Sequence, residues 1–153
     1  MLGSAVHDQH GLEGSPGSSE GLDLLDMETA LMPEKQLHRV RGVLQFGQAA
    51  IEGYEIHQGI SSGQALQRPL VQLEHAADGA VSEDGQIAGT YLHGLFDHQD
   101  ACAALLRWAG LAGAEVVDYR KRREDELDRL AQAIEAHLDM ARLLQILDES
   151  ARN

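Results

Sequence analysis

The residue best placed for proton transfer is His93, which ends a segment typical of a strand. Gly89-Thr90-Tyr91-Leu92-His93 runs directly into a glycine turn at Gly94. Ligands gather at the carboxyl ends of strands in α/β proteins, so a histidine in this position can act as a general base or acid. A histidine that only hydrogen-bonds a loop would have the same spacing, and spacing alone leaves both interpretations open.

A second histidine, His57, ends an alternating segment in the same way. In Gly53-Tyr54-Glu55-Ile56-His57-Gln58-Gly59 a glycine follows the histidine closely, and it lets another group approach the backbone. Taken alone, residues such as Glu55 and His57 are more often polar strand-end residues than catalysts.

A metal site is the third kind of chemistry that the histidines suggest. His7 and His10 are three residues apart, and another group clusters farther along the chain: His93, Asp97, His98 and Asp100. Metal ligands must converge in space, whereas a strand end followed by a helix cap scatters these side chains. We therefore expect no metal site and ordinary surface histidines instead.

The composition excludes several classes of function. The chain has 153 residues, 43% of them hydrophobic, which is enough for one modest core and one globular unit. Its formal charge of -13 would be repelled by nucleic acid and by anionic lipid, so neither is an expected partner. No apolar run approaches the roughly 20 residues that span a bilayer. Cys102 is the only cysteine, which excludes an internal disulfide and fits a reducing cytoplasm.

The elements that would position the two histidines lie mostly in the first two thirds of the chain. Residues 1–21 are rich in Gly, Ser and Pro, a composition that predicts a flexible segment. Proline predicts a turn at Met32–Pro33. Period-two alternation over residues 37–57 predicts two strands joined by a short turn at Gly47–Ala49. Further strands are predicted at the ranges Leu70–Glu74 and Ile87–His93.

The remainder of the chain has helical patterns. Ala101–Trp108 is rich in alanine and leucine; it predicts a helix capped by Asp97 or Asp100 and ended by Gly110. Apolar residues then recur at spacings of three and four, which predicts one long amphipathic helix. Its apolar stripe consists of Leu127, Leu130, Ile134, Leu138, Ala141 and Leu144 or Gln145.

The two histidine motifs together resemble a known family. Gly-Tyr-Glu-Ile-His-x-Gly, followed downstream by Gly-Thr-Tyr-Leu-His-Gly-Leu-Phe, is similar to the signature of the glutamine amidotransferase domain of cobyric acid synthase. Three further segments agree in order, so the resemblance covers essentially the whole chain; they are 21–29, 102–111 and 128–131.

The resemblance implies an α/β fold of the class I (triad-type) glutamine amidotransferase kind, a flavodoxin-like three-layer architecture. This chain would be its C-terminal portion only, with a long C-terminal amphipathic helix. The flexible segment 1–21 would precede the domain part at 22–148, and 149–153 would be a tail.

The resemblance also implies roles for individual residues. In this family a cysteine thiolate attacks the side-chain amide of glutamine and a histidine shuttles the proton, and His93 matches that histidine. Tyr54 and His57 would shape the glutamine pocket. Other amidotransferases have a carboxylate two residues after the histidine to orient its ring, but Leu95 stands there. Glu55 is the candidate for that orienting carboxylate.

The nucleophile itself has no counterpart in these residues. The family's cysteine lies in Gly-x-Cys-Gly-Gly-Tyr-Gln-Met-Leu-Gly, of which only Met1, Leu2 and Gly3 match. Cys102 falls in the predicted helix and is expected to pack there. We therefore expect a fragment that is inactive by itself and whose partner is the missing N-terminal region of the same enzyme.

By resemblance, the intact enzyme uses ATP and Mg to amidate peripheral carboxylates of adenosylcobyrinic acid a,c-diamide, a corrinoid, with ammonia from glutamine in the cytoplasm. No glycine-rich loop with lysine for phosphates occurs here, so no cofactor is expected in this chain. Two alternatives remain open. One is a non-catalytic amidotransferase-like interaction module that docks through the apolar stripe, and the other is a fragment of cobyrinic acid a,c-diamide synthase.

Overall fold

The fold is mixed α/β. The computed structural model describes residues 1–111, 113 and 115–150. The chain divides into two compact units, Met1–Val116 and Val117–Asn153. The boundaries expected at residues 21 and 148 stay predictions, and the compact units have different bounds.

The described strands all lie in the first unit. In chain order β1 to β9, they are Ala5–Asp8, Gly17–Glu20, Glu28–Leu44, Ala49–Ser62, Val71–Leu73, Ala77–Asp78, Ala80–Val81, Ala88–Gly89 and Leu92–His93. Helix α1, Gln99–Trp108, follows them, and the second unit contains α2, Tyr119–His137, and α3, Met140–Ser150.

One sheet organises the first unit. Among the described residues it has the strand order β2-β1-β3-β4-β9, with β5 paired to β3 and β6 paired to β5. Strand β1 runs parallel to β3, and the other pairs of this sheet are antiparallel. Strands β7 and β8 form a separate antiparallel pair.

The hairpin of β3 and β4 confirms the two strands predicted over residues 37–57. Its tight turn is at Phe46–Gln48, where Gly47 has a φ of 68°. A left-handed conformation of this kind is strained for residues that have a Cβ, and glycine adopts it freely. The strand predicted at Leu70–Glu74 is confirmed as β5.

The turn predicted at Met32–Pro33 is instead an irregularity inside β3. The pairing of β3 with β4 shifts register between Leu31 and Gln36. Proline has no N–H to donate to the ladder, so it interrupts the pairing locally while the chain continues as a strand.

The prediction of a flexible segment over 1–21 is wrong for its secondary structure, because this segment contains β1 and β2. Composition correctly indicates that few large side chains are available for burial here. Order comes instead from backbone pairing, in which Ala5 lies opposite Glu28 of β3 and His7 lies opposite Ser18 of β2.

The single strand predicted at Ile87–His93 is two short strands, β8 and β9, which belong to different sheets. The carboxylate of Asp78 accepts hydrogen bonds from the Thr90 hydroxyl and the Tyr91 N–H. These bonds hold the two residues between the strands in a path that continues neither ladder.

Helix α1 confirms the predicted helix, but its cap differs from the expected one. The N-cap residue is His98, which makes no side-chain capping hydrogen bond, rather than Asp97 or Asp100. The helix ends before Gly110 as predicted, and Gly110 has a φ of 90°.

The main core lies between the sheet and α1. It buries side chains from β3, β4, β5, β9, the turn after β9 and α1, among them Leu44, Ile51, Val71, Leu92, Leu95 and Leu105. Leu92 and Leu95 are each 6% exposed, and they flank His93 in sequence. The core therefore anchors the segment that carries this histidine.

The single long helix predicted for the C-terminal part is wrong, because two helices are present. Leu138 has an extended conformation with φ -116° and ψ 140°. Asp139 then caps α3 by accepting a hydrogen bond from the Arg142 N–H, which is a typical N-cap interaction. Within the described part of the chain, no helix combines the length and the hydrophobicity that crossing a bilayer requires.

Candidate functional site

His93 lies at the end of β9, directly opposite Tyr54 of β4. The two rings stack with their centroids 5.2 Å apart and an interplanar angle of 4°. The His93 side chain is exposed, and no hydrogen bond or ion pair to its ring occurs among the described residues. Its nitrogens are therefore open to a proton donor or acceptor that approaches from outside.

Two glycines allow the His93 backbone to take this position. A Cβ on Gly53 would collide with the His93 carbonyl oxygen, so only glycine permits the close approach of β4 and β9. Gly94 has a φ of 82°, which turns the chain sharply after the histidine. The backbones of the two sequence motifs thus come closest to each other at these glycines.

His57 faces the other side of β4, because successive side chains in a strand point to opposite faces. Its Nδ1 lies 2.8 Å from the Gly59 carbonyl oxygen. A carbonyl can only accept, so Nδ1 carries the proton and Nε2 of the neutral ring is an acceptor. The His57 ring stacks on Tyr91, with centroids 4.3 Å apart and an interplanar angle of 17°.

Two hydroxyl groups, those of Thr29 and Ser61, hold the far end of Tyr91. The Tyr91 hydroxyl lies 3.0 Å from Ser61 Oγ and 3.3 Å from Thr29 Oγ1, and those two oxygens are 2.8 Å apart. Thr29 is only 1% exposed, so its hydroxyl depends on these partners. The Tyr91 ring that stacks on His57 is thereby held by side chains from two strands, β3 and β4.

A cavity of about 460 Å³ opens beside His57 and Tyr91. We call it the acidic cavity. Its polar wall includes Glu55, His57, Asp78, Thr90 and Tyr91, and its apolar wall includes Met1, Leu2, Met27 and Leu66. The charged side chains among its described lining are Glu55 and Asp78, which are both acidic, and the α-amino group of Met1 belongs to the same lining. A second cavity of about 570 Å³ shares Met1, His57, Gly59 and Tyr91 with it.

The residues expected to form the site fall into two groups. Tyr54 lies beside His93, whereas Glu55 lies opposite Leu92 and lines the acidic cavity together with His57. No hydrogen bond or ion pair joins Glu55 to His93 among the described residues. The geometry therefore gives no support to Glu55 as the group that orients His93.

Sequence reasoning missed Asp78 and the hydroxyl cluster of Thr29, Ser61 and Tyr91. The sequence patterns give Asp78 no role in the site, although its carboxylate holds Thr90 and Tyr91. The sequence gives a weak indication of the hydroxyl cluster, because Thr29 and Tyr91 both lie in segments of the family signature. Their side chains come into contact only through long-range strand pairing.

Cys102 lies in α1 and is half-buried. The described residues contain no group of three or more His, Cys, Asp or Glu side chains that could hold a metal ion.

A comparison with protein-family models finds a match that covers both motifs. The model of the CobB/CobQ-like glutamine amidotransferase domain matches residues 1–101. The match includes both histidine motifs, the hydroxyl cluster and all the residues that line the acidic cavity. Because it covers well over half of the 153 residues, this chain belongs to the family of CobB/CobQ-like glutamine amidotransferase domains.

Proposed function

We propose that this chain is the histidine-bearing part of the glutaminase domain of a cobyric acid synthase. That enzyme amidates peripheral carboxylates of adenosylcobyrinic acid a,c-diamide with ammonia taken from glutamine, in cobalamin biosynthesis and in the cytoplasm. The observation that carries the proposal is the family match over residues 1–101 together with the accessible ring of His93, stacked on Tyr54.

His93 would serve both proton transfers of glutamine hydrolysis. The imidazole takes the proton of a cysteine thiol, and the resulting thiolate attacks the side-chain carbonyl carbon of glutamine. The imidazolium then gives its proton to the leaving amide nitrogen, so ammonia departs and a thioester remains. Water hydrolyses the thioester to glutamate and regenerates the thiol.

The proposal requires a nucleophile from sequence outside these 153 residues. Their single cysteine, Cys102, is part of α1 and does not follow a strand, as a nucleophile elbow would require. These residues alone are therefore proposed to lack glutaminase activity. The class I three-layer architecture is likewise proposed for the domain that includes the rest of the enzyme.

ATP and Mg²⁺ belong to another part of the proposed enzyme. The acidic cavity offers two carboxylates and would repel phosphate groups, so it does not fit ATP. Tyr54 is proposed to contact glutamine, since its ring lies beside His93. The same role is proposed for His57 on the resemblance, since its ring stacks on Tyr91 at the other face of β4.

The test compares the 153 residues with the longest polypeptide encoded in the same reading frame. If that polypeptide carries the cysteine elbow, we expect it to release glutamate and to amidate the corrinoid a,c-diamide. His93→Ala should lower kcat by about 10²- to 10⁴-fold, the usual contribution of a general acid–base group, whereas His75→Ala, an exposed residue outside both cavities, should not.

Three results would contradict parts of the proposal. Unchanged glutamate release by His93→Ala would remove the histidine from the mechanism. Amidation of the corrinoid at its a and c positions alone would favour the a,c-diamide synthase. Glutamate release by the 153 residues above their own His93→Ala variant would contradict their inactivity.

A non-catalytic interaction module is the second candidate. It is favoured by exposed apolar side chains on α2 and α3, including Leu127, Leu130, Leu144 and Leu147 at 52–58% exposure, since such surfaces mark interaction sites. Sedimentation analysis separates the candidates: a module should be monomeric and bind one partner, and concentration-dependent self-association would argue against it.

A further inference from the structure

A serine, a histidine and a glutamate on three neighbouring strands form a hydrogen-bonded row. Nδ1 of His7 on β1 lies 2.8 Å from Oγ of Ser18 on β2. Nε2 of the same ring lies 3.0 Å from Oε2 of Glu28 on β3. A nucleophile, a base and an orienting carboxylate in this order are the parts of a hydrolase triad, which is recognised by its geometry and not by sequence position.

The Glu28 carboxylate determines which nitrogen of His7 carries the proton. An ionised carboxylate can only accept hydrogen bonds, so Nε2 donates to Glu28. In the neutral ring Nδ1 is then an acceptor, and it receives the hydroxyl proton of Ser18. A general base requires this tautomer, because its lone pair must face the proton that it removes.

The pairing of β1 with β2 explains why the side chains of His7 and Ser18 meet. Antiparallel pairs alternate between hydrogen-bonded and non-hydrogen-bonded residues. The Gly21 N–H bonds the Ser4 carbonyl at 2.8 Å, so these two residues form a hydrogen-bonded pair. Three positions farther along the ladder, His7 and Ser18 form a non-hydrogen-bonded pair, in which the two side chains lie closer together.

The same register leaves the Ser18 N–H without a strand partner. In a non-hydrogen-bonded pair the N–H of Ser18 points away from β1, and no strand lies beyond β2 among the described residues. The backbone N–H of the nucleophile itself is one of the donors that stabilise the oxyanion in serine hydrolases. Ser18 therefore combines a nucleophile and an oxyanion donor at the free edge of the sheet.

The row is accessible to a substrate, and its surroundings are acidic. Ser18 is exposed, and the side chains of His7 and Glu28 are 30% and 56% exposed. The other charged residues of β1 and β2 are Asp8 and Glu20, and the whole chain has a formal charge of -13. These charges repel anionic acyl donors such as acyl phosphates, so an uncharged acyl ester fits the row better.

We propose that Ser18, His7 and Glu28 form a reactive site that takes the acyl group from uncharged acyl esters. His7 removes the Ser18 hydroxyl proton while Oγ attacks the carbonyl carbon of the ester. The tetrahedral intermediate then breaks the carbon–oxygen bond to the leaving alcohol, which takes the proton from Nδ1, and an acyl-serine remains. Water, deprotonated by the same nitrogen, attacks the acyl-serine; the carboxylic acid leaves, and Oγ recovers its proton.

This site is separate from the one proposed for glutamine hydrolysis. Strands β3 and β4 lie between β1, which carries His7, and β9, which carries His93. None of the three residues of the row is among the described residues that line the two cavities. Esterase chemistry at Ser18 and glutaminase chemistry at His93 can therefore succeed or fail independently.

The first test maps the reaction of the 153-residue chain with 4-nitrophenyl dimethylcarbamate. This ester is uncharged, and its carbamoyl group hydrolyses slowly from serine, so mass spectrometry of the peptides can assign the modified residue. Ser19 is the internal control, because it is adjacent and exposed and makes no hydrogen bond to a histidine among the described residues. We expect Ser18 to be modified at least about 100-fold faster than Ser19, the lower end of what a general base contributes.

Variants then test the roles of the base and of the carboxylate. His7→Ala should slow the modification of Ser18 by at least about 100-fold. His10→Ala removes an exposed histidine nearby and should leave the rate unchanged. Glu28→Gln keeps an acceptor for Nε2 but loses the charge, and it should slow the modification about tenfold, the size of one charged hydrogen bond.

Turnover is measured with 4-nitrophenyl acetate as the release of 4-nitrophenol. We expect wild type to release it faster than Ser18→Ala, and equal rates would overturn the proposed turnover. Equal modification of Ser18 and Ser19 in wild type overturns the reactive site itself, and this comparison depends on the folding of no variant. Unchanged modification of Ser18 in His7→Ala, with the backbone NMR spectrum of the fold retained, also overturns it.

Discussion

Tyr54 stacks on His93, with the two rings nearly parallel and 5.2 Å apart. On the opposite face of the same strand, His57 stacks on Tyr91 at 4.3 Å. Tyr54 and His57 belong to one sequence motif, and Tyr91 and His93 belong to the other. Each histidine is therefore positioned by the tyrosine of the other motif, and the two motifs depend on each other structurally.

Removing the Tyr54 ring should free the His93 ring. Tyr54→Ala deletes the stacking partner, and stacked aromatic pairs contribute about 0.5–1.5 kcal/mol beyond their buried area. We expect the proton resonances of the His93 ring to move towards random-coil positions. Tyr54→Phe keeps the ring and should leave the resonances in place, and equal shifts in both variants would contradict a role for the stack.

Thr29 should stabilise the fold through its buried hydroxyl. Thr29→Val keeps the shape of the side chain but removes the hydrogen bonds to Ser61 and Tyr91. We expect the free energy of unfolding to fall by about 1–3 kcal/mol, since each of the two hydrogen bonds contributes about 0.5–1.5 kcal/mol. Urea denaturation measures it, with Ser19→Ala, an exposed hydroxyl, as the control. No difference between the two variants would show that the cluster carries no stability.

Gly59 should tolerate no side chain, although its backbone conformation would permit one. An added Cβ would lie 2.7 Å from Thr29 Cγ2 and 3.1 Å from the Tyr91 hydroxyl. We expect Gly59→Ala to destabilise the chain by about 1–3 kcal/mol, the range for overpacking, and to shift the Tyr91 ring resonances.

Gly17→Ala is the matched control for Gly59→Ala. Gly17 also lies in a strand, but the nearest heavy atom to its added Cβ is 3.9 Å away. The free energy of unfolding of the Gly17→Ala variant should therefore equal that of the wild type or be slightly higher. Similar losses in the two variants would show that crowding is not the reason for glycine at position 59.

The hydroxyl cluster shows where sequence reasoning stops. Alternation over residues 37–57 predicts the hairpin correctly because strand periodicity is a local property. The meeting of Thr29 with Tyr91 depends on two long-range strand pairings and on the break that Asp78 imposes between β8 and β9. No periodicity in the sequence encodes either, so the segment was predicted as one continuous strand.

In the C-terminal part, the sequence does contain a local signal for the feature that the helical period misses. The stripe from Leu127 onward has a helical period throughout, and it predicts one helix. The interruption at Leu138 comes from Asp139, whose side chain caps α3. This signal was local and visible, and an aspartate in the middle of an apolar stripe could have been interpreted as a new helix start.

Asp8 should make stability depend on pH. Its carboxylate accepts hydrogen bonds from the backbone N–H groups of Glu13 at 2.9 Å and Leu12 at 2.8 Å, and these lower the pKa of Asp8 below its ordinary value. Since the pKa is lower in the folded than in the unfolded chain, the stabilisation is present above the unfolded pKa. It is lost as pH falls through the folded pKa.

The measurement is the difference in unfolding free energy between wild type and Asp8→Asn across pH. We expect the wild type to be the more stable near neutral pH and the difference to shrink below about pH 4, where an aspartate in the unfolded chain becomes protonated. If the difference in unfolding free energy stays constant below about pH 4, the charge of Asp8 does not stabilise the turn after β1.

The two residue pairs that join β9 to β4 have a consequence for the motions of this region. So short a ladder can open without unfolding the long hairpin beside it, because local opening requires far less free energy than global unfolding. The backbone amides around His93 should therefore exchange with solvent faster than those of Leu44 or Ile51. The strand that carries the proposed general acid–base residue is thus one of the two strands of this sheet that only two residue pairs hold among the described residues.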